Sequence, residues 1–403
     1  MRPYVAAGVT VGSCLGLLVV SAACVSDSGP DDCALTVSVP DTVAVDQAGA
    51  VPLNAQVRNC HGDRTTADLR YFTDQAAIAR VSSEGIVTGY RGGTTTLHIE
   101  ATGLSRSVTI EVFGHPSVGM QFDVPLADAP FGVAASSHGI VYVTQIGSNS
   151  LSRSNIPVTG FAGTITVGVT PAHVVFNPPG TTAYVTNQSS NSVSVVNVAT
   201  HTESTAIPLG HSAFNLAVSP DGSALYATVD MGNVYRINTL TNTVVDSFNV
   251  GPVPNGLAFS PDGAELYISS RDSGWVVVYN TATATMIDTM VTGGSPQRLA
   301  VSKDGNELYI ANQVVGIDFW DLNTRSRIKS LGAPGAYGLA LSPDGTLLLV
   351  SMPSTGNVAP VDPVLRGVTG GIPTGGTPRN IVFSRYGNEA IITNEAGYVT
   401  VLH

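Results

Sequence analysis

Charge is scarce in this chain. Only 12% of its 403 residues are charged, and 18 Lys and Arg face 29 Asp and Glu for a formal net charge of −11. So few cations supply no phosphate-neutralising surface, which excludes a basic nucleic-acid binder. Low charge beside 43% hydrophobic residues excludes long disorder. Cysteine is scarcer still, at four residues. The eight His stand singly, without His-x-x-x-His or Cys-x-x-Cys spacing, so zinc has no ligand motif, and no Cys-x-x-Cys-His attaches haem. No metal or other cofactor is expected. No Gly-x-Ser-x-Gly lies between a strand and a helix, and no catalytic residue is assigned. Beyond the N-terminus no apolar run approaches membrane-spanning length.

The N-terminus has the make-up of an export signal. Arg2 is the single charge ahead of the apolar stretch Val5–Val20, and the small residues Ser21, Ala22 and Ala23 precede Cys24. A charged start, an apolar middle and a small-residue cleavage site define a signal peptide over 1–23. Cys24 after small residues resembles the lipobox of bacterial lipoproteins, with Ser21 where that family prefers an aliphatic residue. The resemblance implies a lipidated Cys24 and a membrane partner. Ordinary cleavage after Ala23 is the alternative. Signal removal leaves three cysteines, an odd number for an exported chain. If Cys24 is acylated, Cys33 and Cys60 can pair in an oxidising compartment. Such a bridge closes a loop worth about 3 kcal/mol in the chain-entropy model. Two free thiols are the alternative. Residues 24–33, polar and holding Gly29-Pro30, read as a tether.

Residues 34–113 alternate apolar and polar positions in short runs, among them Leu35–Val39, Val51–Val57, Leu97–Ala101 and Val108–Val112. That period predicts strands of a small sandwich. The segments Ala79–Val81, Gly85–Gly89 and Gly93–Thr95 resemble the bacterial Ig-like domain of group 2. The resemblance implies a spacer or adhesive module and no chemistry.

The remainder repeats. Tyr142, Tyr184, Tyr226, Tyr267, Tyr309, Leu349 and Ile391 open matching runs spaced 42, 42, 41, 42, 40 and 42 residues apart. A glycine precedes each run, and in four copies it follows an Asp, a hairpin signal because these residues tolerate positive φ. Ahead of each turn lies another apolar run with Ala or Val at its third place. Each unit therefore reads as a four-stranded blade, and seven units predict a seven-bladed β-propeller over 117–403. The last unit is one strand short. Val118–Leu126 has the form of the missing strand and is expected to pair with Tyr398–His403, closing the ring and hiding two edges. The expected fold is all-β, a small Ig-like sandwich followed by the propeller. The repeats resemble the YVTN β-propeller family of surface and periplasmic proteins, which is informative about fold and weakly so about function.

A propeller places candidate chemistry around its channel. The residue before each Leu-Ala-Val-like run falls in a ring: Gly132, His173, Asn215, Gly256, Arg298, Gly338 and Asn380. His173 and Arg298 alone in that ring bear protons or charge, so a channel-face site for a small polar or anionic ligand is assigned to His173, Asn215, Arg298 and Asn380. The loops between second and third strands add Asn187, Asp230, Arg271, Asp272, Trp275, Asn312 and Glu395. The expected function is a non-enzymatic, lipid-anchored cell-envelope protein whose Ig-like spacer presents a binding propeller. The alternative is an exported enzyme, since propellers of similar repeat type include lactonases. It needs His173, Arg298 and a carboxylate to converge.

Overall fold

The computed structural model describes residues 35–59, 61–65, 67–101, 103–119 and 121–403. Cys24, Cys33, Cys60, the signal and the tether lie outside the described residues. Contacts divide the chain into residues 1–112 and 113–403.

The first unit is all-β. Its main sheet runs in the order Thr42–Asp46, Leu104–Phe113, Gly93–Ala101, Arg70–Thr73, the last three pairing antiparallel. Two three-stranded sheets complete it, and all contribute to one core that includes Val87, Leu97, Ile99, Val108 and Ile110. Leu104–Phe113 buries every second side chain, as alternation requires of a strand with one wet face. The run Val51–Val57, expected as one strand, is two: Ala50–Pro52 and Gln56–Arg58. Asn54 between them has φ of 53°, a left-handed conformation that no strand continues through.

The second unit is a seven-bladed propeller. Seven antiparallel sheets follow one another, six of them built inner to outer from consecutive strands. Blade 1, for example, holds Pro130–Ala135, Ile140–Gln145, Ser150–Asn155 and Thr164–Thr166. In blade 6 the outer edge is split into Gly367–Val368 and Ile372–Pro373. Blade 7 takes its outer strand from the N-terminal side of the unit. Gln121–Pro125 pairs antiparallel with Tyr398–Leu402, Val124 opposite Val399. The first and last strands of this unit thus share one sheet, and an otherwise open edge is paired.

Two devices recur in the blades. The first is the Ser-x-Asp-Gly turn. Ser219, Ser260, Ser302 and Ser342 donate to Asp221, Asp262, Asp304 and Asp344 at 2.5–2.6 Å and accept backbone N–H groups on the returning strand. The second lies at the channel. In six blades the inner strand carries a register shift at the ring position. A bulge sets two residues against one and re-aims the side chain. The displaced N–H groups of Gly132, His173, Asn215, Gly256 and Asn380 bond a hydroxyl on the second strand: Thr144, Thr186, Thr228, Ser269 and Thr393. Blade 6 does the same with Gly338 and Ser351. Each hydroxyl also donates to a carbonyl of the next blade, as Ser269 does to Gln297 at 2.8 Å and Thr393 to Phe131 at 2.5 Å. These six rungs link neighbouring blades around the channel. Blade 5 has Ala311 in place of the hydroxyl.

Candidate functional site

The three ring glycines are explained by this crowding. A Cβ on Gly132, Gly256 or Gly338 would sit 2.3, 2.2 or 1.9 Å from a carbonyl oxygen of the next blade. They are therefore steric requirements of blade packing. Side chains enter the ring only where the next carbonyl leaves room.

Arg298 dominates the interior. It is 7% exposed. Its Nε donates to Asn380 Oδ1 at 3.1 Å, and Asn380 Nδ2 donates to the Phe131 carbonyl at 2.8 Å. Blades 5, 7 and 1 thus hold the guanidinium together. Its Nη1 is buried without a hydrogen-bond partner. No carboxylate forms an ion pair with it among the described residues. Burial lowers its pKa from the ordinary arginine value.

His173 is the second polar group of the ring. Its imidazole Nδ1 is also buried without a partner. Burial first, and then the charge of Arg298, hold its pKa well below the ordinary histidine value, so the ring is neutral at neutral pH. Asn215 does not join them. Its Oδ1 accepts the N–H of Leu216 at 2.8 Å, which turns the amide onto its own backbone. Of the four residues assigned to the site, Arg298 and Asn380 are bonded, His173 feels the Arg298 charge, and Asn215 is spent locally.

A cavity of about 490 Å³ opens above Arg298. Its wall comes from the residues one place before the ring: Phe131, Phe214, Asn255, Gln297, Tyr337 and Arg379. Loops between second and third strands add Gln188, Arg271 and Gln313. The guanidinium of Arg379 lies between two aromatic rings, 5.8 Å from the centre of Phe131 and 5.0 Å from that of Tyr337. Arg298 lies 6.0 Å from the Tyr337 ring.

The other expected loop residues have different duties. Asn187 and Asn312 are fully buried. Asn187 donates to Ser194 at 2.8 Å, and Asn312 accepts the Ser295 N–H at 2.8 Å. Trp275 donates to the Val250 carbonyl. Asp230 pairs with His211, Asp272 with Arg271 and Glu395 with Arg379. No carboxylate lines the cavity. Sequence reading missed Phe131, Phe214, Tyr337 and Arg379. Their signal was available as a second ring, one residue before the first, which lines the same mouth.

The fold and the channel define the class: a seven-bladed β-propeller with a cationic, aromatic-walled mouth. Comparisons agree on the architecture. The family model "Lactonase, 7-bladed beta-propeller" matches residues 140–317. Hydrazine synthase of Kuenenia stuttgartiensis is a structural neighbour at 20% identity, with a TM-score of 0.62, over 68% of this chain and 96% of that one. At that identity the likeness is one of fold. No curated protein matches the chain.

Proposed function

We propose that this is an exported, lipid-anchored envelope protein whose propeller binds a small anion at its channel mouth. The observation that carries the binding is the guanidinium of Arg298, buried with one hydrogen bond and no carboxylate. An uncompensated buried charge costs several kcal/mol, and a bound anion removes that cost. The neutral imidazole of His173 adds no competing positive charge. The anchor rests on Cys24 and the cysteine count, and the first unit, read as an Ig-like spacer, carries the propeller away from the lipid. Two or three acyl chains on one cysteine give stable attachment where a single chain does not.

Two measurements test this reading. The first is the intact mass of the mature chain expressed with its signal in a diderm bacterium. Cleavage before Cys24 with added acyl chains is expected, together with two missing protons for Cys33–Cys60. An unmodified product cut after Ala23 refutes the anchor. The second is calorimetric titration of the protein with small carboxylates and inorganic phosphate, beside Arg298→Met. Binding by the wild type and none by the variant is expected. No heat from any anion refutes the site.

A lactonase-like hydrolase is the second reading, favoured by the family match over 140–317. There Arg298 would stabilise the oxyanion formed when water attacks a ring ester, and neutral His173 would accept the water's proton and return it to the leaving ring oxygen as the acyl C–O bond breaks. His173 is not among the residues lining the cavity, and no carboxylate lines it to orient an imidazole. Turnover of a lactone panel, lost in His173→Gln, would establish this reading over simple binding.

A further inference from the structure

We infer that the channel mouth is shaped for an aromatic monocarboxylate, in preference to a sugar acid or a phosphoester. The inference rests on the anion-binding reading above and names its ligand class. Charge sets the first limit. Three guanidiniums line the cavity, but Arg271 is paired with Asp272 at 2.9 Å and Arg379 with Glu395 at 3.0 Å. Arg298 alone is uncompensated, so the mouth offers one net positive charge at its floor. A monoanion matches it. A phosphomonoester dianion would leave about one negative charge unmatched in a site where water is partly excluded.

Hydrogen bonding sets the second limit. The amides at the mouth are knitted to one another. Gln297, 1% exposed, accepts from Asn255 Nδ2 and donates to Ser295 at 3.1 Å and to Gln313 at 2.9 Å. The Gln297 amide is therefore already committed to its neighbours and is not free to meet a row of sugar hydroxyls. A polyol entering here would regain no bond from Gln297, at a cost for each hydroxyl left unpaired.

The wall sets the third. Phe131, Phe214 and Tyr337 line a cavity of about 490 Å³, ample room for an aromatic ligand. Arg379 rests against Phe131 and Tyr337. A flat ligand ring lying along Phe214 and Phe131, with its carboxylate on Arg298, buries apolar faces and meets the single charge.

The test is calorimetric titration of the full chain with benzoate, gluconate and inorganic phosphate. Benzoate is expected to bind about ten-fold more tightly than the other two, one such factor being about 1.4 kcal/mol. Phe214→Ala is expected to weaken benzoate by roughly two- to ten-fold, the worth of one aromatic contact, while leaving the unfolding midpoint near the wild-type value. Equal or tighter binding of gluconate or phosphate overturns the ligand class and leaves the anion site standing. Binding of none of the three overturns both. Benzoate binding untouched by Phe214→Ala and by Phe131→Leu overturns the aromatic seat.

Discussion

Thr393→Val is the sharpest probe of how the blades support the channel. Thr393 is fully buried. Its hydroxyl accepts the Asn380 N–H at 3.0 Å and donates to the Phe131 carbonyl of blade 1. Valine fills nearly the same volume, so no cavity opens and the change is one of hydrogen bonding alone. The Phe131 carbonyl keeps its bond from Asn380 Nδ2. The Asn380 N–H is left buried and unpaired, which costs roughly 2 kcal/mol. For a unit of this size that is a fall of roughly 3 °C in Tm. A functional effect follows from the same chain of bonds, because Asn380 Oδ1 holds Arg298 Nε. Anion affinity should fall along with stability. Urea unfolding with an unchanged m-value, beside anion titration, measures both. A loss under about 0.5 kcal/mol would show that the rung contributes no more than an ordinary surface contact. A full stability loss with unchanged anion affinity would break the proposed link from Thr393 through Asn380 to Arg298.

Three further outcomes are expected. Gly338→Ala places a Cβ 1.9 Å from the Arg379 carbonyl, so blade 6 and blade 7 must part. A loss of about 3 kcal/mol in urea unfolding is expected, and wild-type stability would exclude blade crowding as the reason for glycine. Asp318→Asn should change the pH dependence of stability. Burial raises the pKa of Asp318 above the ordinary carboxylate value. Its contribution is fully present below the unfolded-state value and is lost as pH rises through the raised folded one. The variant should gain on the wild type across that window, and parallel stability curves from pH 3 to 8 would contradict the assignment. Asp304→Asn should show the opposite sign. Hydrogen bonds from Ser302, then from Asn306, lower the Asp304 pKa. The turn's contribution is present above the unfolded value and lost as pH falls through the lowered folded one. Wild type and variant curves should converge toward acid, and a difference persisting at the acid end would argue against the carboxylate as its source.

The propeller was legible because its period is written several times over. Tyr184, Tyr226, Tyr267 and Tyr309 open matching strands, and Asp-Gly turns mark the returns. The closing strand was legible for the same reason: Val118–Leu126 has an outer-strand pattern and no blade of its own. The site was legible only in its first layer. Alternation along a strand assigns faces to every second residue, and that rule points to Arg298 and Asn380 while assigning their neighbours to the opposite face. Bulges break the rule in blades 1, 3 and 7, so Phe131, Phe214 and Arg379 join the same mouth, which Tyr337 of blade 6 also lines. Composition could not signal it, because a bulge is a count of residues between pairing partners and depends on the strand opposite. The glycines had the reverse problem. In sequence Gly132, Gly256 and Gly338 look like missing function, whereas in space each marks a neighbour's carbonyl. The isolation of Arg298 lies furthest from the sequence of all. Glu395 is near the channel but is paired with Arg379, and Asp272 is paired with Arg271. Whether a guanidinium has a counter-ion is decided by which blades face one another after closure. A seven-fold repeat with one arginine in its ring therefore specifies where a charge will lie, and the rim pairs decide that it lies there unanswered.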